Sequence, residues 1–332
     1  MKIGHVDLER EVLVVAEIGN NHEGDVALAE ELIVLAAASG AQAVKFQTIR
    51  PDCLVAPGQH ARLAQLRKLS LPEEAHARLA ARAAKEGVMF LSTPFYLDAV
   101  DLLDPLVPAF KIASGDNNFV PLLRRVAATG KPVLLSTGMA DMDAVRAAVA
   151  ELEKVWVESG EAPSLVLMHC VSAYPTPAAQ ANLKAIPTLA SLGHLVGYSD
   201  HTLGIDACLL AVALGARVIE KHFTISKNYS EFRDHRLSAE PSELQLLVER
   251  VREAAAMLGD GEKRVMPSEQ PQAARRSVAA ARSLPQGHRL SQADVAWLRP
   301  GDGLSPGRES SLIGRALRHP VEAGDRLTSG DF

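Results

Sequence analysis

Residues 197–202, Gly197-Tyr198-Ser199-Asp200-His201-Thr202, and residues 218–224, Val218-Ile219-Glu220-Lys221-His222-Phe223-Thr224, carry the most informative pattern of this chain. Each joins a short apolar run to a histidine flanked by acidic and hydroxyl side chains. An apolar helical stretch, residues 205–214, lies between them, so the segment reads as strand, helix, strand. Consecutive parallel strands lie side by side, and residues at their ends can converge. A neutral imidazole at the end of a buried strand is a common ligand for a divalent metal. His201 and His222 are therefore candidate metal ligands. Two unrelated strand-end histidines are the plainer alternative.

The same alternation runs outward from this segment. Short β-rich runs fall at residues 12–18, 43–48, 88–92, 109–114, 132–137, 164–170, 195–199 and 217–223. Helical stretches lie between them, among them 25–38, 73–85 and 141–158. Eight such units in roughly 260 residues match the count and length of a (β/α)8 TIM barrel. A doubly wound open sheet is the structural alternative, but no GxGxxG turn follows the first strand.

Composition narrows the class of protein. The chain has 332 residues, 47% hydrophobic and 23% charged, with a net charge of −5. No apolar run is long enough for a membrane span. The start, Met1-Lys2-Ile3-Gly4-His5, lacks the apolar core of a secretory signal. Cys53, Cys170 and Cys208 are widely spaced, with no CxxC, so disulfides and a cysteine zinc site are not expected, which fits a reducing cytoplasm. No basic run suggests a nucleic-acid partner.

Residues 1–258 read as the barrel, 259–271 as a polar linker and 272–332 as a separate module. From 271 onward there are nine Arg, no Lys and six acidic residues, a net of +3, leaving −8 for the first 270 residues. This tail contains a quasi-repeat: residues 284–294 and 321–331 both read apolar, x-x-Gly-x-Arg-Leu, then Ser/Thr-x-x-Asp. A small β-rich module with two related turns is the natural reading, and two ordinary turns the plainer alternative.

In a parallel barrel the working face lies at the carboxyl ends of the strands. Those ends supply Glu17, Asn20, Asn21 and His22; Lys45 and Gln47; Ser92 and Thr93; Lys111, Ser114 and Asp116; Ser136 and Thr137; His169, Ser172 and Tyr174; Ser199, Asp200 and His201; and Glu220, Lys221 and His222. Buried charge is costly unless paired or used, so this density points to a binding or catalytic mouth. Lys45 and Lys111, with nearby serines, suit a phosphate and a carboxylate on one small ligand. They could instead pair with Glu17 and Glu220 inside the barrel. His169 could be a third metal ligand or a packing residue, and Cys170 reads as a small buried hydrophobe. His22 lies in an Asn- and Gly-rich loop and reads as part of a lid or as solvated.

Taken in order, several stretches resemble the sialic acid synthase family, which makes nonulosonic acids such as N-acetylneuraminate. They are Ala16-Glu17-Ile18-Gly19-Asn20-Asn21-His22-Glu23-Gly24, Val44-Lys45-Phe46-Gln47, Phe110-Lys111-Ile112-Ala113-Ser114-Gly115, Leu135-Ser136-Thr137-Gly138-Met139, His169-Cys170 with Tyr174-Pro175-Thr176-Pro177, Ser199-Asp200-His201-Thr202 and Ile219-Glu220-Lys221-His222-Phe223-Thr224. Through Arg299-Pro300-Gly301-Asp302-Gly303 the tail resembles the family's antifreeze-like SAF module, a small β-rich β-clip domain.

The resemblance implies a metal-dependent condensation of phosphoenolpyruvate with an N-acetylmannosamine-type aldose, releasing phosphate by C–O cleavage. The metal is usually Mn²⁺, with Mg²⁺ or Co²⁺ as alternatives. By motif, His201 and His222 match the metal ligands. Lys45, Lys111, Ser114, Ser136, Ser172 and Ser199 match phosphoenolpyruvate positions. Glu17, Gln47, Tyr174 and Asp234 match sugar-side positions, and Glu17, Lys45, Lys111 and Asp116 form the catalytic set. The resemblance further implies a domain-swapped homodimer in which Arg299 reaches a partner's sugar site. Asp116 stands where Glu is expected and Ser172 where Asn is expected. These departures leave the acceptor open among N-acetylmannosamine, its 6-phosphate and the 2,4-diacetamido-trideoxy sugars used for legionaminate. Two further alternatives are a Schiff-base aldolase using Lys111 or Lys45, and a non-enzymatic carbohydrate- or ice-binding protein built around the tail.

Overall fold

The computed structural model describes residues 1–162 and 164–332. The chain divides into two compact units, Met1–Gly259 and Asp260–Phe332. In the first, eight strands lie parallel: β1 (Leu13–Gly19), β2 (Ala43–Thr48), β3 (Met89–Pro94), β4 (Phe110–Ile112), β5 (Val133–Ser136), β6 (Leu165–Cys170), β7 (Leu195–Asp200) and β8 (Val218–His222). The order across the sheet is β3-β2-β1-β8-β7-β6-β5-β4, so the first and last strands pair. Adjacent β3 and β4 complete the ring without a hydrogen-bonded ladder. The expected barrel is present.

Alternation along each strand explains both the barrel and its mouth. Outward residues such as Val14, Ala16, Val44, Phe90, Leu135 and Leu167 pack into one core with the surrounding helices. Inward residues Leu13, Val15, Ala43, Leu91, Leu134, Val166, Met168 and Val218 form a second core. The hairpin Lys2–Ile3 with Val6–Asp7 belongs to this inner core through Ile3 and Val6. Toward the carboxyl ends the inward positions become Glu17, Lys45, Lys111, Ser136, Ser199, Glu220 and His222, all buried. Period-two alternation thus delivers charge to the same interior that is apolar one layer below.

Helix boundaries follow local chemistry. Asp25 caps Val26–Ala38 by accepting from the amides of Ala27 and Leu28. Asp141 caps Met142–Ser159, which ends at Gly160 with a left-handed φ of 72°. Such side-chain acceptors satisfy amides that a helix start leaves unpaired. Among the described residues no helix is long and apolar enough to cross a membrane.

The second unit is built around an antiparallel pair, β9 (Ser277–Ala280) and β10 (Val295–Leu298). Its core includes Val278, Leu284, Leu290, Val321, Leu327 and Phe332. The two halves of the quasi-repeat meet at a Leu284–Val321 bridge. Each half ends in the same device: Ser291 and Asp294, then Thr328 and Asp331, close reciprocal capping boxes.

Candidate active site

The carboxyl ends of the barrel strands enclose a cavity of about 510 Å³. Its lining includes Glu17, Lys45, Gln47, Lys111, Ser114, Ser136, Ser172, Tyr174, Ser199, His201, His222 and Asp234. The fold therefore brings together twelve residues that sequence reasoning placed at one site.

At the floor, two lysines and two glutamates interlock. Lys45 Nζ lies 2.7 Å from Glu17 Oε2 and 3.7 Å from Glu220 Oε1, and Lys111 Nζ lies 3.2 Å from the same Glu220 oxygen. The internal pairing considered from the sequence is thus present, and it occurs inside the cavity. Ser199 also donates to Glu220 Oε1, at 2.9 Å. Burial alone would raise the Glu220 carboxyl; Lys111, Lys45 and Ser199 outweigh it and hold the group at about 2. Burial pushes Lys111 below its ordinary value. It also raises Glu17 against the pull of Lys45. These directions describe a floor with charge in reserve, because Glu220 Oε2 and Ser136 Oγ are buried without a hydrogen-bond partner.

One wall is a serine cradle. The amide of Gly138 donates to Ser114 Oγ at 3.1 Å. A Cβ at Gly138 would come within 2.6 Å of both Ser114 Oγ and Ser172 Oγ, so only glycine lets the chain pass there. On the other wall a relay runs from Glu17. Gln47 donates to Glu17 Oε1 at 3.1 Å, and Asn20 donates to Gln47 Oε1 at 2.8 Å.

The two histidines face each other across the top of β7 and β8, with ring centroids 5.3 Å apart. His201 Nδ1 is 2.8 Å from the Val171 carbonyl, so in the neutral ring Nε2 keeps its lone pair. Burial lowers this ring, but Cys170 and the Val171 carbonyl outweigh it and raise it above its ordinary value. Burial, His201 and Lys45 push His222 well below its ordinary value, so it is a neutral ring. Its Nδ1 is buried and unpartnered. Imidazoles with unused nitrogens fit a divalent cation, which binds them in the neutral form. Among the described residues no cluster of three or more His, Cys, Asp or Glu side chains could hold one. Two protein ligands would leave the other positions to water and substrate.

The loop after β8 carries Phe232, Arg233 and Asp234 to the cavity. His235 fastens it, with Nδ1 2.6 Å from Thr224 Oγ1 and Nε2 3.0 Å from Glu23 Oε1. Asn21 ties the same region by donating to the Phe223 carbonyl and to Ser238 Oγ. The Arg233 guanidinium lies over the Tyr174 ring at 4.9 Å, and the Tyr174 ring lies tilted against His201, with centroids 4.2 Å apart.

Some residues stand elsewhere. Asp116 is not part of the lining; its carboxyl, with Oδ2 buried and unpartnered, is pushed up to about 6 by burial. Arg299 belongs to the second unit. His169 spends Nε2 on the Ala181 carbonyl at 2.8 Å and stacks on Tyr198, a packing role. His22 is fully buried, against the expectation of a lid or a solvated ring, because Phe46 packs beside it and the Gly24 amide donates to its Nδ1. Sequence reasoning missed the helix His60–Leu69, which supplies Arg62, Gln65, Leu66 and Leu69 to the cavity. Its Leu63, Leu66 and Leu69 at three-residue spacing mark a helix, but nothing in that spacing marks a cavity wall.

Comparison with known proteins places the chain in a family. The NeuB family matches residues 32–263, and the SAF domain matches residues 275–332. An uncharacterized protein of Methanocaldococcus jannaschii is 44% identical, over 100% of this chain and 98% of that protein. The N,N'-diacetyllegionaminic acid synthase of Legionella pneumophila is 41% identical, over 95% of this chain and 92% of its own length. The crystal structure of an N-acetylneuraminic acid (sialic acid) synthetase from Leptospira borgpetersenii superposes with a TM-score of 0.76 at 34% identity, covering 81% of this chain and 93% of that one.

Proposed function

Since the chain belongs to the NeuB family, whose characterised relatives are nonulosonic acid synthases, we propose that it condenses phosphoenolpyruvate with N-acetylmannosamine, giving N-acetylneuraminate and phosphate. The observation that carries this reading is the floor of the cavity. Two ammonium groups are held there by two carboxylates, beneath a serine cradle and two facing histidines.

In this reading Lys45 and Lys111 take the phosphate and carboxylate of phosphoenolpyruvate, with Ser114, Ser136, Ser172 and Ser199 as adaptable donors. An entering anion offers the lysines partners beyond Glu17 and Glu220. Gln47, Tyr174 and Asp234 orient the open-chain sugar. Glu17, raised by burial, exchanges a proton at the aldehyde oxygen. His201 and His222 would hold a divalent cation, Mn²⁺ in the first instance, which when bound supplies Lewis-acid polarisation of that oxygen. The methylene carbon of phosphoenolpyruvate bonds to the aldehyde carbon, whose oxygen becomes a hydroxyl. Water then adds at the carbon that bore the enol phosphate, now cationic, and gives up a proton. The adduct breaks its C–O bond, phosphate leaves with the proton of the new hydroxyl, and that carbon becomes the keto group. Much of the rate comes from holding two substrates in register, and Lys45 and Lys111 stabilise the departing anion. Asp116, outside the lining, takes no step in this reading.

A second reading, N,N'-diacetyllegionaminate synthesis from a 2,4-diacetamido-trideoxy sugar, is favoured by the 41% identity to the Legionella enzyme. The apolar side chains Leu66, Leu69, Phe95 and Phe232 in the lining also suit a deoxygenated sugar with acetyl methyls. One assay tests both: phosphate release from phosphoenolpyruvate and Mn²⁺ over a panel of aldoses. Release with N-acetylmannosamine supports the first reading, and release only with the diacetamido sugar supports the second. No release with any acetamido aldose, from a protein that is folded and metal-loaded, sinks both.

Arg299 completes the site in trans on this reading, its planar fork reaching an N-acetyl carbonyl or a carboxylate in a partner subunit. Mixing His222→Ala with Arg299→Ala subunits tests it. Across a swapped dimer one site inherits both defects and the other is intact, so activity returns. Continued inactivity after demonstrated subunit exchange rejects the swap.

A further inference from the structure

Asp200 and Lys221 line no part of the catalytic cavity. They stand one residue before the two histidines, on adjacent strands and in register with each other. Alternation turns them to the face opposite Ser199, Glu220 and His222. There Lys221 Nζ lies 2.7 Å from Asp200 Oδ2, with side chains 1% and 0% exposed. Asp200 also accepts from the Tyr198 hydroxyl at 3.0 Å, the Thr202 amide at 2.8 Å and the Cys208 thiol at 3.3 Å. Lys221 donates in addition to the Thr202 carbonyl.

This pair occupies the last rung of the β7–β8 ladder. Beyond it the strands take different partners. The His201 carbonyl accepts from the Thr176 amide, and the His222 carbonyl accepts from the Ala239 amide. Backbone pairing between the strands therefore stops one residue short of the histidines. The side-chain bridge is the closing link between the two strand ends. Stability does not require an ion pair there, because a buried pair is commonly replaced by apolar residues of similar volume without loss. A salt bridge fixed by donors on every side adds a defined length and direction, which an apolar contact lacks.

We infer that Asp200 and Lys221 are positioning residues, whose buried ion pair, anchored by Tyr198, Thr202 and Cys208, sets the spacing of His201 and His222 for a divalent cation. This rests on the reading of the two histidines as metal ligands. Residues that orient metal ligands from behind typically change affinity or activity by about 10–100-fold when altered.

The test is the full-length double variant Asp200→Leu/Lys221→Met, which leaves no orphaned charge. Mn²⁺ binding is measured without substrates, from the electron paramagnetic resonance signal of free Mn²⁺, alongside the melting temperature and steady-state kinetics. The double variant is expected to stay folded with a lowered melting temperature, because Tyr198 and Thr202 lose buried partners, and to bind Mn²⁺ more weakly by at least about 10-fold. At saturating Mn²⁺ its KM for phosphoenolpyruvate stays near wild type while kcat stays low. A folded double variant with wild-type Mn²⁺ affinity and kcat overturns the inference. If the double variant does not fold, Tyr198→Phe removes one donor to Asp200 and keeps the ring against His169. Weaker Mn²⁺ binding is then expected, and unchanged binding overturns the inference. A wild-type protein without Mn²⁺ affinity sinks the metal reading itself, whereas normal wild-type affinity that the variants leave unchanged sinks only the positioning role.

Discussion

Glu220 in the barrel and Asp294 in the second unit are both carboxylates almost out of water, 4% and 1% exposed. Asp294 draws its donors from nearby in the chain: Ser291 through amide and hydroxyl, His288, and Arg282. Both of its oxygens are occupied, and the loop closes on itself. Glu220 draws its partners from distant strands, Lys111 and Lys45 among them, and keeps one oxygen unpartnered. The same chemistry serves two ends. A buried charge satisfied by its own neighbourhood shapes a turn. One assembled from across the fold, inside a cavity, keeps an oxygen free toward that cavity's floor. Among the described residues, the buried side-chain atoms without partners all belong to the barrel unit.

The largest expected effect breaks the pairing on the barrel side. Lys111→Met removes an ammonium and leaves Glu220 under-compensated, with Lys45 at 3.7 Å and Ser199 at 2.9 Å. Breaking a buried pair from one side costs about 3–5 kcal/mol, so the melting temperature should fall clearly. Affinity for phosphoenolpyruvate should fall by roughly 10–100-fold, the worth of a charged hydrogen bond. Adding Glu220→Gln removes the under-compensated charge and should restore most of the stability without restoring the affinity. Calorimetric titration with phosphoenolpyruvate separates the two. If the double variant regains affinity as well, Lys111 is only a structural partner of Glu220. Asp294→Asn, the matching change in the second unit, should leave phosphoenolpyruvate binding untouched.

Much of the barrel and its mouth is legible in the sequence. Eight short β-rich runs locate the strands to within a few residues at each end, because inward and outward apolar positions alternate and Asp25 and Asp141 cap two of the helices between. The density of charge at the strand ends locates the mouth. The partners of each charge are not legible. That Lys45 meets both Glu17 and Glu220 depends on β2 lying beside β1, and on β1 lying beside β8. The burial of His22 escapes a sequence reading because its neighbours in the chain are polar, while the group that buries it is Phe46, on another strand. The contribution of the helix His60–Leu69 escapes it because most of that helix is exposed and polar. Asp116, four residues past the end of β4 and directly after Ser114 and Gly115, shares a 3-10 turn with a cavity residue yet lies outside the lining.

The smallest effects sharpen the comparison through pH, because Asp294 and Asp116 are shifted in opposite directions. Hydrogen bonds from Ser291 and His288 hold Asp294 well below the usual carboxylate range. Its contribution to stability is present above the unfolded value, about 3.9, and is lost as pH falls through the depressed native one. Burial raises Asp116 to about 6. Its native state holds a proton more tightly than the unfolded chain does. That contribution is complete below about 3.9 and is lost as pH rises through about 6. Calorimetric melts of the full chain from acid to pH 8 should show both slopes. Asp294→Asn should remove the part of the acid sensitivity that belongs to the second unit. Asp116→Asn, which cannot ionise, should match wild type near pH 4 and exceed it at pH 8. The gain should be roughly 1 kcal/mol once partial exposure is allowed for, or about 2–4 °C in a domain of this size. An Asp116→Asn protein that is less stable than wild type at pH 8 would mean that the ionised carboxylate has a partner in solution, and that this turn is completed by something outside the chain.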